Sequence, residues 1–421
     1  MRIFIKTFGC SANKADSLYM KTLLIKNGYV VTDNYKDSEL VIINSCNVKQ
    51  HAETKFWKEI RKCLKDKKKI IAAGCVPQSD PNAVKRLKEL NISIIGVRDI
   101  DKIIKVVKSV EKNKVISILN GKNKRFHKIK LLVNDIIGIL PINEGCLGNC
   151  SYCITKLARG KLLSYSIKEI KEQFINYLSQ GVKEIWITSQ DSGAYGKDIH
   201  TDLCKLLKEL LSIDKDYIIR IGMMNPNHFW ELRECLINII KDKRVFKFLH
   251  IPIQSANDRI LNLMRRPYNS KLLKKVFDFI YSKMNNITIA TDVICGFPTE
   301  TDKEFDETLK FISYIKPDVI NISRFWPRPY TEASKMKQLY NQIPIRRAKE
   351  LHELYEKIAY EKNKRYINKE VEVLIDEIGK NNTMIGRDIC YKQVIINKKV
   401  MLGTRLKVKI KKVTPYDLRT F

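Results

Sequence analysis

Short apolar runs alternate with amphipathic segments through the first part of the chain. The runs have the length of buried strands, and the segments between them carry apolar residues at helical spacing. This alternation predicts an open, parallel α/β sheet. The predicted strands are Ile3–Lys6, Leu40–Ile43, Ile70–Ala73, Ile92–Ile95 and Val115–Leu119, and the predicted helices are Lys14–Lys26, Ala52–Leu64, Pro81–Leu90 and Asp101–Ser109.

A second alternating series follows Asn120–Lys130, a polar and basic stretch that we interpret as a linker. Six apolar runs, again separated by helical patterns, give six β/α units. Eight units are needed for a closed barrel, so this series predicts a partial (β/α)6 barrel that is open on one side. The predicted strands are Ile137–Leu140, Glu184–Thr188, Ile218–Gly222, Phe246–His250, Ile287–Asp292 and Val319–Ser323.

The end of the chain changes character after a long charged helix predicted at Ile345–Arg365. Short β-rich runs separated by glycines predict a small β-barrel. These runs are Glu370–Ile375, Val394–Ile396, Lys399–Leu402 and Arg405–Lys412. The predicted division is an α/β domain at 1–119, a linker at 120–130, a partial barrel with its closing helix at 131–365, and a β-barrel at 366–421.

The composition bounds the class of protein. A hydrophobic content of 44% over 421 residues is enough for several packed cores and excludes a disordered chain. No apolar run approaches the length of about 20 residues that a membrane-spanning helix needs, and the first residues lack a signal-peptide pattern. We therefore expect a cytoplasmic protein without a membrane partner. Eleven cysteines in a chain of this length indicate metal ligation rather than a disulfide scaffold.

The charge points to a polyanionic partner. Lys and Arg number 78 against 46 Asp and Glu, which gives a formal net charge of +32. From Lys362 onward there are fifteen basic and six acidic residues. A basic β-barrel favours RNA binding. The alternatives are a lysine-rich compositional habit of the source organism and an ordinary solvated basic surface.

Three cysteines in the loop after the first barrel strand carry the clearest chemical signal. Cys146, Cys150 and Cys153 are spaced C-x3-C-x2-C. An iron–sulfur cluster ordinarily takes four thiolates, so a triplet leaves one iron of a cubane cluster open for a catalytic ligand. The alternatives are a zinc knuckle that lacks its fourth ligand and three unrelated thiols.

A second cysteine set lies at the ends of predicted strands in the first domain. Cys10, Cys46 and Cys75 each follow a strand of the predicted parallel sheet. The carboxyl ends of such strands share one edge, where ligands bind, so we expect the three thiols to meet there and to hold a second cluster with an open iron. The alternative is three inert, buried cysteines.

Polar loops at the carboxyl ends of the barrel strands form the predicted catalytic face. Their side chains can hydrogen-bond the amine, carboxylate and ribose of a cofactor, an aromatic ring can cover its adenine, and a glycine lets the backbone approach it. His250 is the one histidine expected to face this site, and Cys63, Cys204, Cys235, Cys295 and Cys390 are assigned no chemistry. The predicted cofactor contacts are Tyr152, Gln190, Asp191, Gln254, Ser255 and Gly296.

These motifs together resemble the radical S-adenosylmethionine methylthiotransferases, the MiaB, RimO and MtaB group, over nearly the whole chain. The barrel triplet with Tyr152 resembles the radical S-adenosylmethionine signature, and the flanks of the first-domain cysteines resemble three motifs of this family. The segments 249–261 and 325–331 are similar to its barrel motifs, and the tail is similar to a TRAM domain. The segments 154–160 and 189–196 are most similar to the archaeal and eukaryotic MtaB-type branch.

The resemblance implies a reaction. Two 4Fe–4S clusters and two S-adenosylmethionine molecules would insert a methylthio group at C2 of N6-threonylcarbamoyladenosine, next to the anticodon of a tRNA. The barrel cluster would generate the radical, and the first-domain cluster would carry the sulfur. The implied partners are the tRNA anticodon stem-loop, an external electron donor and a sulfur source. Within the same chemistry, the alternatives are isopentenyladenosine in tRNA and a ribosomal protein. A non-enzymatic iron–sulfur RNA-binding protein is the alternative of another class.

Overall fold

The structure, a computed structural model, describes residues 1–48, 50–121, 129–133 and 135–421. Most of the predicted linker, Asn120–Lys130, lies outside the described residues. Among the residues that are described, no helix combines the length and the apolar character needed to cross a membrane.

The first domain is a six-stranded parallel sheet flanked by helices, as the alternating pattern predicts. The strands are β1 (Arg2–Thr7), β2 (Val30–Thr32), β3 (Leu40–Ser45), β4 (Lys69–Gly74), β5 (Ser93–Gly96) and β6 (Ser117–Ile118). The helices are α1 (Ser11–Lys26), α2 (Gln50–Lys65), α3 (Cys75–Ser79), α4 (Pro81–Glu89) and α5 (Ile103–Glu111). The strand order is β2-β1-β3-β4-β5-β6. The edge strand β2 was not predicted because three half-exposed residues are too short to show a pattern.

The central domain is the predicted partial barrel. Its strands are β7 (Ile137–Pro141), β8 (Asn143–Glu144), β9 (Leu163–Ser164), β10 (Glu184–Thr188), β11 (Ile218–Arg220), β12 (Phe248–His250), β13 (Thr288–Cys295) and β14 (Val319–Arg324). Its helices are α6 (Thr155–Arg159), α7 (Ile167–Ser179), α8 (Leu203–Leu211), α9 (Pro226–Ile240), α10 (Asp258–Leu263), α11 (Ser270–Lys283), α12 (Asp302–Ile315) and α13 (Gln342–Lys364).

The barrel wall consists of two parallel sheets, β11-β10-β7 and β12-β13-β14. In the part of the chain that the structure describes, one isolated bridge, between Ile219 and Val245, connects them, so β7 and β14 are the two edges of an open wall. Helix α1 of the first domain packs against the β7 edge, and α13 packs against β14. Apolar residues of both domains, such as Met20 and Leu140, belong to one continuous buried core. The first domain and the barrel are therefore joined through their interiors.

The C-terminal domain is a curled, mainly antiparallel sheet. Its strands are β15 (Glu370–Ile378), β16 (Met384–Asp388), β17 (Gln393–Ile396), β18 (Arg405–Lys409), β19 (Lys412–Val413) and β20 (Leu418–Arg419), in the order β18-β15-β16-β17-β20-β19. The predicted strand Lys399–Leu402 is wrong: these residues lead into the turn at Gly403, where φ is +82°. Strand β16 was missed because polar residues interrupt its apolar pattern.

The C-terminal domain closes the barrel at the amino ends of its strands. Between β16 and β17, the ring of Tyr391 lies 4.8 Å from that of Phe246 and 5.1 Å from that of Phe248. The amide of Lys247 donates to the carbonyl of Ile389 at 2.8 Å. Catalytic groups of a β/α barrel lie at the carboxyl ends of its strands. The tail domain therefore docks on the end opposite to the predicted site.

A buried carboxylate anchors this docking. Asp318 accepts from Lys392 of the C-terminal domain at 2.8 Å and from Lys362 of α13 at 2.6 Å. Burial acts to raise the pKa of Asp318, but the two lysines outweigh it, and the pKa lies below its usual value. The carboxylate is therefore ionised at neutral pH and holds three segments of the chain together.

Two cysteines that the sequence analysis left without chemistry are paired. Cys204 on α8 and Cys235 on α9 form a disulfide, with their Cα atoms 6.3 Å apart. The sequence analysis assigned neither cysteine any chemistry and did not predict this bond. Two cysteines on separate helices, 31 residues apart in sequence, show no spacing that reveals such a pair.

We expect Asp318→Asn to loosen the C-terminal domain, because two largely buried lysines lose their counter-charge. Removing one partner of a buried ion pair costs about 3–5 kcal/mol. Thermal melting and limited proteolysis would measure the loss. The exposed Asp306, which pairs with Lys310 on the surface of α12, provides the control. Equal melting temperatures for Asp318→Asn and Asp306→Asn would contradict the anchoring role.

The same carboxylate predicts an acid dependence. A carboxyl group whose pKa is lowered by folding stabilises the fold above its unfolded pKa, about 3.9 for Asp, and the stabilisation is lost as pH falls through the folded value. Below about pH 4 the wild-type domain contact should therefore weaken. Melting curves recorded from pH 6 to pH 3 should fall less steeply in Asp318→Asn than in the wild type.

Candidate functional site

The three cysteines of the first domain meet at one edge of its sheet. The strands β1, β3 and β4 are direct neighbours, so their carboxyl ends lie side by side. Cys10 is the N-cap residue of α1, Cys46 follows β3, and Cys75 opens α3. All three are free thiols. Parallel topology thus brings together residues that are up to 65 positions apart in sequence.

Direct contacts connect these thiols. A hydrogen bond from Cys46 lowers the pKa of Cys10 to about 6 and raises that of Cys46. The side chain of Asn13 lies between the outer two: its oxygen accepts from the Cys10 sulfur at 3.3 Å, and its nitrogen donates to the Cys75 sulfur at 3.9 Å. Cys46 and Cys75 are buried, whereas Cys10 is exposed. We call these three residues the N-terminal cysteine group.

Glycine is required beside this group. Gly9 has φ of +117°, and a Cβ atom there would overlap the Cβ of Cys46 and lie 3.0 Å from its sulfur. Among the amino acids, only glycine tolerates both this backbone conformation and so close an approach of the neighbouring side chain. The glycine in the motif Phe-Gly-Cys thus lets β1 bring Cys10 against Cys46.

The second cysteine set lies on the loop after β7, at the carboxyl end of the barrel. Cys146, Cys150 and Cys153 are free and partly exposed. The amide of Gly148 donates to the Cys146 sulfur at 3.2 Å, and the Cys153 amide donates to the carbonyl of Cys150 at 3.2 Å. Burial raises the pKa of Cys146 to about 11. This loop folds tightly around its own sulfurs, and we call the three residues the barrel cysteine group.

A buried arginine that the sequence analysis missed supports this group. Arg266 donates to the Cys150 sulfur at 3.0 Å and to the hydroxyl of Tyr268 at 2.8 Å. It also donates to the side-chain oxygen of Asn225. Cations close to a thiolate favour its ionised, metal-binding form. Arg266 lies 16 residues beyond the end of β12, so no local spacing reveals its role.

The donor sets fit iron–sulfur clusters. Within the described residues, no group of three or more His, Cys, Asp or Glu side chains is close enough to hold a single metal ion. A cubane cluster binds each thiolate to a different iron, so its ligands stand farther apart than around one ion. Each group presents three free thiols, and backbone amides donate to the sulfurs of Cys146 and Cys46, as they do to cluster-bound sulfurs.

Two predicted cofactor contacts lie beside the barrel cysteine group. The carboxylate of Asp191 is buried, and its charge adds to the raised pKa of Cys146. It accepts from the side chain of Asn225 at 2.6 Å and contacts His228 Nδ1 at 2.8 Å. The side-chain oxygen of Gln190 is buried and has no hydrogen-bond partner among the described residues. A bound ligand with a donor group would satisfy that oxygen.

The other predicted contacts divide into two kinds. The Tyr152 ring packs edge-on against Phe297, and Gln254 holds a left-handed backbone with φ of +64°. The Ser255 hydroxyl instead contacts Thr308 of α12 at 3.3 Å. Ser255 is buried, and its hydroxyl already has a partner within the protein.

Gly296 and His250 are also committed to partners in the protein. The Gly296 amide donates to Glu300 at 2.9 Å, and a Cβ atom there would overlap Pro344. His250 Nε2 lies 2.9 Å from a carboxylate oxygen of Asp292. Cofactor binding by any of these residues stays a prediction.

The two cysteine groups are held against each other. Helix α3, which starts at Cys75, packs on α6, which starts two residues after Cys153, with Ala158 and Cys75 in one buried cluster. At the end of α6, the buried Arg159 donates to Asp16 of α1 at 2.6 Å and contacts Glu144 at 3.5 Å. Arg159 thus connects Asp16, which follows Cys10 in the sequence, to Glu144, which precedes Cys146.

The comparisons with known proteins agree with this arrangement. Residues 2–96 match the model of the uncharacterized protein family UPF0004, 140–312 match the radical SAM superfamily, and 364–420 match the TRAM domain. The chain is 38% identical to a probable threonylcarbamoyladenosine tRNA methylthiotransferase of Pyrococcus horikoshii, over 94% of this chain and 93% of that protein. It is 40% identical to the threonylcarbamoyladenosine tRNA methylthiotransferase of Homo sapiens, over 97% of this chain and 72% of that protein.

Solved structures show the same fold with little sequence similarity. The radical S-adenosylmethionine methyltransferase TsrM from Kitasatospora setae, with cobalamin and a 4Fe–4S cluster bound, has a TM-score of 0.58 at 12% identity. The alignment covers 79% of this chain and 76% of that one. The likeness establishes a shared fold for most of the chain.

We expect Gly9→Ala to disrupt the N-terminal cysteine group, because its new methyl group meets Cys46. Gly28 is the matched control: its φ is +81°, and a Cβ atom there would meet nothing within 4 Å. Both changes strain the backbone by about 1–3 kcal/mol, but only Gly9→Ala also displaces a cysteine. Iron content after anaerobic reconstitution should fall in Gly9→Ala alone, and equal iron in both variants would contradict the close packing.

Proposed function

The chain belongs to the threonylcarbamoyladenosine tRNA methylthiotransferases, and from this premise we propose how its residues divide the work of the reaction. It is a radical S-adenosylmethionine enzyme that uses iron–sulfur chemistry and acts on tRNA. The barrel cysteine group would hold a 4Fe–4S cluster that leaves one iron for S-adenosylmethionine, and the N-terminal cysteine group would hold a second cluster. The observation that carries this assignment is the presence of two separate sets of three free thiols on facing loops.

When bound, the two clusters and S-adenosylmethionine supply the one-electron and sulfur-transfer chemistry that an unactivated aromatic C–H bond requires. The chain itself binds and orients these groups. Arg266 places a positive charge beside Cys150, and the Gly148 amide donates to Cys146. The Ser151 hydroxyl donates to the carbonyl of Leu263 at 2.7 Å, and this hydrogen bond anchors the loop to the end of α10.

The polar face beside the barrel cysteine group orients S-adenosylmethionine. Asp191 is locked by Asn225 and His228, so its carboxylate is fixed before any ligand arrives. Gln190 offers a buried oxygen without a protein partner. An amine or hydroxyl group of the cofactor would satisfy this oxygen, and the ring of Tyr152 borders the same loop.

We propose that the tRNA anticodon stem-loop reaches the site from the side of the barrel. The TRAM domain lies at the opposite end of the barrel strands, so RNA held by its basic residues must pass along the wall before a loop base enters the site. Trp326 and Tyr330, which follow β14 at the catalytic end, are about half exposed and offer rings for stacking of unpaired bases. The electron donor and the sulfur source are external partners.

The names of the relatives favour N6-threonylcarbamoyladenosine as the substrate, with the methylthio group placed at C2. The isopentenyladenosine and ribosomal-protein alternatives share the chemistry but not these names. A non-enzymatic RNA-binding protein would have no use for two open cluster sites.

Iron and sulfide counting tests the two-cluster assignment. Reconstituted wild-type protein should contain two clusters' worth of iron. Replacing Cys146, Cys150 and Cys153 by Ala, or Cys10, Cys46 and Cys75 by Ala, should each remove one cluster's worth. Cys63→Ala, which changes a buried cysteine outside both groups, is the control and should change nothing. A wild type with only one cluster's worth would contradict the proposal.

Mass spectrometry of tRNA nucleosides tests the substrate. After incubation with reductant and S-adenosylmethionine, tRNA that carries threonylcarbamoyladenosine should gain the methylthio group, and tRNA that carries isopentenyladenosine should not. The Cys146→Ala variant should yield neither this product nor 5′-deoxyadenosine, because it lacks a ligand of the barrel cluster. Product from isopentenylated tRNA alone would overturn the substrate assignment.

A further inference from the structure

The segment 325–333, which follows β14, contacts both the barrel cysteine loop and the first domain. At its start, the amide of Phe325 donates to the carbonyl of Cys295 at 2.9 Å. At its end, the amide of Ala333 donates to the carbonyl of Ser151 at 2.9 Å, inside the barrel cysteine loop. Between these points the segment reaches across to the first domain. We call it the bridging segment.

Arg328 is the residue of the bridging segment that makes this contact. Its side chain is 5% exposed, and its Nη1 donates to Glu53 in the first turn of α2 at 2.8 Å. Pro327 and Pro329 flank it and restrict the backbone on both sides. The Thr331 hydroxyl donates to the carbonyl of Arg328 at 2.7 Å. The guanidinium is therefore held in one place by its neighbours.

One nitrogen of this guanidinium has no partner. Nη2 of Arg328 is buried and makes no hydrogen bond to any described residue. A buried donor without an acceptor is costly, and such groups in native structures call for a ligand or an ion. The Glu53 side chain, at 31% exposure, occupies only the other nitrogen.

The ion pair with Glu53 places Arg328 on the side of the first domain that carries Cys46. Burial lowers the pKa of Arg328, and the charges of Glu53 and, to a smaller extent, Cys46 partly offset that lowering. Glu53 belongs to α2, the helix that follows Cys46, so the ion pair joins the bridging segment to that side of the N-terminal cysteine group. The positive charge of Arg159, at the end of α6, acts on Cys10 and Cys75 of the same group. Two buried cations from the barrel are therefore directed at the side of the first domain that carries the N-terminal cysteine group.

We propose that Arg328 is a positioning residue for the group held by Cys10, Cys46 and Cys75, with its unpartnered Nη2 donating to that anionic group. The inference rests on the proposed function, because it takes a cluster to be bound there. A cluster with three thiolate ligands carries negative charge, which increases on reduction, and hydrogen bonds and nearby charges set its reduction potential. A buried cation supplied by the barrel makes the reduced state easier to reach.

The alternative hypothesis is a purely structural role, in which Arg328 only joins the bridging segment to α2 through Glu53. The two hypotheses predict different effects of Glu53→Gln on the reduction potential of the cluster. If the role is only structural, Glu53→Gln and Arg328→Gln should change the reduction potential in the same way, because both break the same ion pair. Loss of a charge at the cluster would move the potential down in Arg328→Gln, because a cation is lost, but up or not at all in Glu53→Gln, because an anion is lost.

The test uses the full-length chain with Cys146, Cys150 and Cys153 replaced by Ala, so that only the N-terminal cluster remains. Electron paramagnetic resonance during a redox titration measures its midpoint potential. Arg328→Gln should lower the reduced-to-oxidised ratio about tenfold at a given potential, which is about 59 mV for one electron. Arg328→Lys should keep most of the wild-type value. Arg98→Gln, which loosens the same domain contact at the carbonyls of Leu157 and Ala158, should leave the potential unchanged.

The possible results distinguish a failure of the proposed function from a failure of the proposed role of Arg328. If the background variant binds no iron, the proposed function and this inference both fail. If it binds a full cluster whose potential is unmoved by Arg328→Gln, or moved equally by Glu53→Gln, only the role of Arg328 is overturned. Circular dichroism and iron content, recorded for each variant, establish that the compared proteins are folded and loaded.

Discussion

The contact between α3 and α6, with the Arg159–Asp16 ion pair beside it, is the constraint on which the rest of the molecule depends. Each of these short helices begins at or just after a cysteine, so packing one on the other sets the separation of the two cysteine groups. Arg159 and Asp16 are almost completely buried. Burying two charges is expensive unless their geometry is good and their remaining hydrogen bonds are made. Close approach of the two groups therefore rests on a pair that tolerates little displacement.

The two ends of the barrel serve different purposes. Both cysteine groups, Gln190 and the bridging segment lie at the carboxyl ends of the strands, whereas the TRAM domain closes the amino ends through Tyr391 and Lys392. Catalysis and the basic tail are thus separated by the length of the barrel. An RNA substrate long enough to contact both ends suits this layout better than a short peptide segment does, in agreement with the names of the relatives.

Much of the fold follows from local patterns, because strand and helix periodicity are properties of neighbouring residues. The parallel sheet, the six barrel strands, the three first-domain cysteines at strand ends and the three cysteines in the loop after the first barrel strand were predicted in this way. Local patterns failed where the pattern was short or misleading, as at β2 and Lys399–Leu402. The division of the chain at 119, 131 and 366 stays a prediction, since much of the linker lies outside the described residues.

Long-range partners could not be predicted from one sequence. Arg159 pairs with a residue 143 positions away and Arg328 with one 275 positions away, and nothing in their flanks marks them as different from other basic residues. The Cys204–Cys235 disulfide was not predicted for the same reason, because its two cysteines are 31 residues apart in sequence. The contact of the Ser255 hydroxyl with Thr308 of α12, 53 residues away, was equally hidden in the sequence, and cofactor binding by Ser255 stays a prediction.

The central claim is that two clusters are held close together by the facing helices. Electron paramagnetic resonance of the fully reduced wild-type protein tests it most directly, because two neighbouring paramagnetic clusters broaden and split each other's signals. The account predicts a wild-type spectrum that differs from the sum of the spectra of the two variants lacking one cysteine group each. A wild-type spectrum equal to that sum would mean that the clusters do not interact, and would contradict the account.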